Sequence, residues 1–106
     1  MAAKKPVWIG LVGLRPRKGN ESLGDARGAF VLFLALASDE TEYTIEMYAA
    51  LEEFQFDFDE VCDVEPYLDF VSRKGLDVEL AEIATNVSED GYSRFGEFFV
   101  YSVDDA

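Results

Sequence analysis

FVLFLALASDETEYTIEMYAALEEFQFDFD, residues Phe30 to Asp59, holds a strand, a helix start, a helix and a second strand in thirty positions. Phe30 to Leu36 is continuously apolar, the pattern of a strand covered on both faces, or on one face plus an interface. Ser38 or Asp39 then offers an N-cap, and Asp39 with Glu42 has the spacing of a capping box. Tyr43, Met47, Ala50, Leu51 and Phe54 recur at steps of three and four, which places them on one helical face. Glu42, Glu46 and Glu53 lie off that stripe. Phe56-Asp57-Phe58-Asp59 alternates strictly, and Val61, Asp63 and Glu65 carry the pattern on towards Pro66. The spacing predicts a strand over 57–65.

Working towards the N-terminus, Val7 to Leu14 is a β-prone run between Pro6 and Arg15-Pro16. Residues 15–28 are rich in Gly, Asn, Ser and charge without hydrophobic period, and read as a mobile loop. The two flanking runs are expected to pair as a hairpin across it. Towards the C-terminus, Pro66 starts a short helical piece, Tyr67 to Lys74, closed by Gly75. Asp77 caps a further helix with Leu80, Ile83, Ala84 and Val87 as its apolar face. Phe95 to Val103 reads as a last strand with aromatic residues on both sides.

The expected architecture is therefore α+β in the order β-β-α-β-α-β, with the short piece before the second main helix. It comprises one mostly antiparallel sheet and two main helices packed on one face, a sandwich of ferredoxin-like type. The ferredoxin-like order has a helix between its first two strands, where this chain has the 15–28 loop. The 106 residues form one domain, 1–106, without internal repeat.

Composition narrows the function classes. With 49% hydrophobic and 14% aromatic residues the chain is built to fold. One cysteine, Cys62, excludes an intramolecular disulfide. The longest apolar run, Ala29 to Ala37, is far shorter than the ~20 residues of a membrane span. No signal-peptide pattern occurs, and a cytoplasmic location without membrane contact is expected. Net charge is −13, unevenly spread. Residues 1–27 carry Lys4, Lys5, Arg15, Arg17, Lys18 and Arg27 against Glu21 and Asp25. The rest carry only Arg73, Lys74 and Arg94 against twenty carboxylates. Such a field repels nucleic acid and attracts a basic partner.

The absence of histidine removes Ser-His and Cys-His nucleophilic sites and the commonest metal ligand. Cys62 sits beside Asp63, which raises a thiol pKa rather than lowering it. Asp57, Asp59 and Asp63 lack the glycine and terminal glutamate of an EF-hand loop. Gly10 to Gly13 and the residues to Asn20 fit neither phosphate-loop spacing. No catalytic residue, metal site or cofactor is assigned on these grounds.

What the residues leave is a surface. Trp8, Phe56, Phe58, Phe95, Phe98, Phe99 and Tyr101 cannot all face one thin core if a single helix layer covers the sheet. The expected function is a small, non-enzymatic protein-binding module. It would neutralise a basic partner as immunity proteins and nucleic-acid mimics do, with Phe56, Asp57, Phe58, Asp59, Trp8 and Phe98 as its interface. The alternative is a carboxylate-based enzyme or small-ligand binder at a dimer cleft. A homodimer built on the 29–37 run and the last strand is the expected assembly.

Overall fold

The hairpin, the helix caps and the strand phases together make one sheet with a helical layer on each side. The structure is a computed structural model that describes residues 5–24 and 26–101. The elements are β1 (Val7–Pro16), β2 (Gly28–Leu36), α1 (Glu40–Glu53), β3 (Phe56–Pro66), α2 (Tyr67–Lys74), α3 (Val78–Asp90) and β4 (Arg94–Tyr101). All strand pairs are antiparallel, in the order β3-β1-β2-β4. The expected α+β class with a single antiparallel sheet is what the chain adopts, and the strand order broadly matches a ferredoxin-like sandwich.

Local chemistry explains the helix limits. The Asp39 carboxylate accepts from the Glu42 N–H at 2.9 Å, and Glu42 Oε1 accepts from the Ser38 N–H at 2.9 Å. The box predicted at this position is thus formed one residue wider, with the backbone of Ser38 as the second donor. That bond and the Lys5 ammonium hold the Glu42 carboxyl below the usual carboxylate range. Asp77 caps α3 by accepting from the Leu80 N–H at 3.0 Å, and Gly91 ends it in the left-handed region.

Strand alternation sorts the side chains. On the front face, Val12 and Leu14 of β1 and Ala29, Val31, Phe33 and Ala35 of β2 pack beneath Tyr43, Met47, Ala50 and Leu51 of α1. On the back face, Ile9 and Leu34 pack beneath Leu80, Ala84 and Val87 of α3, with Tyr67 and Phe70 of α2 beside them. The expectation that both main helices share one face is therefore replaced by one main helix per face. The reason is visible in β2, whose odd and even residues are both apolar and each demand a cover.

Two irregularities in β3 keep its apolar residues aligned. Its register against β1 shifts between Ile9 and Leu11 and again between Gly13 and Leu14. Phe56, Phe58, Val61 and Val64 consequently all pack on the front core although the last steps are three residues long. A shift in β4 between the partners of Val31 and Phe33 does the same for Phe95 and Phe98. Residues 102 and 103 of the expected last strand lie outside the described residues.

Candidate interaction surface

The α2–α3 pair covers only one end of the back face. One cross-strand row lies at the margin of that cover, its Phe99 lining a hollow of about 300 Å³ with Phe70 of α2 and Leu80 and Ile83 of α3. In that row Glu60 pairs with Gly13, Gly13 with Phe30, and Phe30 with Phe99. An ideal Cβ on Gly13 would lie 3.0 Å from the Phe30 ring and 3.1 Å from Cγ of Glu60. The missing side chain therefore lets the ring and the glutamate stem lie flat across β1. Phe30 is half-buried and Phe99 is 55% exposed.

Carboxylates border this row. Glu60 and Glu97 are exposed, and neither has an ion-pair partner among the described residues. Cys62, also exposed, neighbours the row on β3 opposite Leu11. Its thiol is pushed up by partial burial, then by the charges of Asp63 and Glu60. At the far end Arg15 meets Asp59 at 2.6 Å. Two aromatic rings thus lie between exposed carboxylates on the back face, with Lys74 lining the same hollow as Phe99 and Glu97.

The six residues expected to form the interface divide between the two faces. Phe56 is 5% exposed and belongs to the front core. Phe58 packs edge-on against Tyr48 at 5.2 Å, and Phe98 lies 6.0 Å from Phe56 and 5.5 Å from Phe95. Trp8 packs on the same core, its indole N–H buried without a hydrogen-bond partner among the described residues. Asp57 and Asp59 are exposed, on the opposite side of β3 from the two phenylalanines that flank them.

Both aspartates are neutralised by arginines, Asp59 by Arg15 at the end of β1 and Asp57 by Arg17 just after it. Arg17 reaches Asp57 at 3.0 Å and Glu52 at 2.8 Å, which raises its own pKa and lowers that of Glu52. Asn20 Nδ2 donates to the carbonyls of Phe54 and Gln55 at 3.0 and 2.9 Å, satisfying orphan acceptors at the end of α1. The loop expected to be mobile is tied down over residues 17–20 by these contacts.

Beneath that loop, on the front face, Leu23, Phe54, Phe56, Phe95, Phe98 and Val100 line an open hollow of about 560 Å³, with Asn20 and Ser22 at its rim. Among the described residues no titratable side chain lines it. Among the described residues no Asp or Glu is buried and no group of His, Cys, Asp and Glu is placed to hold a metal ion. No helix among them is long and apolar enough to cross a membrane. Phe30 and Phe99 as a pair escaped the sequence reading. They lie 69 positions apart, and only the β2–β4 register brings them together.

Compared with known proteins, the chain has no significant match to a family model, a curated protein or a solved structure.

Proposed function

We propose that this chain is a cytosolic protein-binding module that engages a basic partner through the open half of its back face. The observation that carries the reading is the row Glu60-Gly13-Phe30-Phe99, a half-buried and an exposed ring flanked by the exposed carboxylates Glu60 and Glu97 in a chain of net charge −13. Aromatic anchors supply affinity once desolvated, and the surrounding charge steers association. An acidic inhibitor, immunity-like in its manner of neutralising a basic protein, is the activity that suits such a surface.

The test is capture from a lysate of the source cells, followed by binding kinetics with the captured protein. A basic protein is expected, with an on-rate that falls about tenfold or more as salt is raised. Glu60→Lys should slow association, and Phe30→Ser should speed dissociation. Binding indifferent to salt and to both substitutions would remove this reading.

A second reading, a small-ligand binder, has the front hollow in its favour. Its six apolar lining residues and two polar rim residues resemble the make-up of ligand pockets, and its volume falls in their range of roughly 300–1,000 Å³. The carboxylate-enzyme form of this alternative has no comparable support, because every described carboxylate is solvent-exposed at least in part. Quenching of an apolar fluorescent probe that is lost on Phe98→Lys would favour the second reading over the first.

A further inference from the structure

We infer that two copies of this chain pair antiparallel through β4, edge to edge, extending the sheet to eight strands. The inference is independent of the basic-partner reading and rests on the contrast between the two sheet edges.

An edge strand offers a row of unpaired N–H and C=O groups, and proteins that stay monomeric blunt it with charges, bulges and proline. β3 has all three. Its register is broken twice, Asp63 sits at φ 56°, Asp57, Asp59, Glu60, Asp63 and Glu65 line it, and Pro66 ends it. β4 is blunted less, with a single register shift against β2 and no proline. It pairs only with β2 among the described residues, and its only charges are Arg94 and Glu97. Arg94 is already held by Asp90.

Charge selects the occupant. A chain of net charge −13 repels its own copy over most of its surface, since α1, β3 and α3 are all strongly acidic. β4 is an edge element whose own charges cancel, and it is apolar besides, with Phe99 and Val100 more than half exposed on its two sides. A second copy meets little repulsion there and two exposed apolar side chains on the strand itself. A basic partner would gain nothing from so neutral a strand.

Symmetry sets the size. Addition of a β4 edge to a β3 edge would propagate into a fibre, and the blunted β3 prevents it. Only β4 to β4 remains, an isologous contact that closes at two. Because Phe98 and Val100 line the front hollow, the partner's strand would run along its rim. The back-face rows of the two copies would adjoin at Phe99.

Sedimentation velocity across a roughly hundredfold concentration range tests the assembly. Twice the chain mass is expected, with dissociation only on dilution. Val100→Lys and Phe99→Lys each put a cation into the contact and should weaken dimerisation at least about tenfold. Leu68→Lys, on the exposed side of α2, should leave it unchanged. If either edge variant fails to fold by circular dichroism, amide exchange of the native chain gives the same answer. The β4 amides should gain protection on concentration while those of β3 do not. A single-chain mass throughout the range, a dimer that survives both edge substitutions, or β4 exchange independent of concentration would overturn the inference.

Discussion

The Tyr43 hydroxyl fills the space that a side chain on Gly10 would need. An ideal Cβ on Gly10 would lie 2.7 Å from Tyr43 Oη, 3.2 Å from its Cζ and 3.0 Å from a methyl of Val64. The same hydroxyl donates to the Phe33 carbonyl at 2.8 Å, and Phe33 is the β2 partner of Gly10. Burial raises the phenol pKa, so it stays a neutral donor. Gly10→Ala should therefore cost about 1–3 kcal/mol by overpacking, and Tyr43→Phe about 1 kcal/mol by losing the bond. In chemical denaturation the double variant should be less destabilised than the sum, because removing Oη relieves the closest contact. Additivity would mean that α1 is not docked through this contact.

Neighbouring residues of β2 belong to different cores, and this separates one helix per face from both on one. Phe33 packs against Tyr43 at 5.6 Å and Phe95 at 5.2 Å on the front, whereas Leu34 packs with Leu80, Ala84 and Val87 behind. Both are fully buried. Phe33→Ala should cost about 3–5 kcal/mol and Leu34→Ala about 2–5 kcal/mol, measured by urea midpoints. A nearly silent Leu34→Ala would mean that the back face is bare.

These helices and strands were legible because their signals are local. The Asp39 and Asp77 caps, the apolar stripe of α1 and the Gly91 stop each need only a few residues of context. Which face a helix covers is not local. Leu80, Ala84 and Val87 announce an apolar side without saying which side of the sheet receives it. The continuous apolar run of β2 carried that information in the form of two faces needing cover. The site shows the same division. Alternation in Phe56-Asp57-Phe58-Asp59 already implies that rings and carboxylates point opposite ways. Bringing Glu60, Phe30 and Phe99 into one row requires three registers that no short segment contains. Phe54 ends the α1 stripe in sequence but stands at the C-cap, 53% exposed, because the helix stops there.

Acid should remove a contribution from the α3–β4 turn. The Asp90 carboxylate accepts from the Arg94 guanidinium and from the Tyr92 N–H at 2.9 Å, and these bonds lower its pKa from 3.8 to about 2. A carboxyl depressed in the folded state stabilises above its unfolded pKa and loses that effect as pH falls through the folded value. The Tm difference between the native chain and Asp90→Asn should thus be constant above about pH 5, shrink between pH 4 and 2, and vanish below. Taking the difference cancels the other carboxylates that titrate in this window, Glu42 and Glu52 among them. A gap that persists at the acid limit would place its origin in packing rather than in the ion pair.

Cys62 combines accessibility with poor reactivity, and alkylation kinetics can separate the two. The residue is exposed, yet partial burial and the charges of Asp63 and Glu60 raise its thiol pKa from 9.0. Because the thiolate is the reacting form, iodoacetamide modification should be slow at neutral pH and rise about tenfold per pH unit until the thiol ionises. Glu60→Gln with Asp63→Asn removes the two charges and should raise the neutral-pH rate, leaving a slower thiol than a free cysteine because the burial contribution remains. A rate that levels off below pH 8 would show a thiolate favoured at this edge. Burial and the charges of Asp63 and Glu60 would then not govern the thiol.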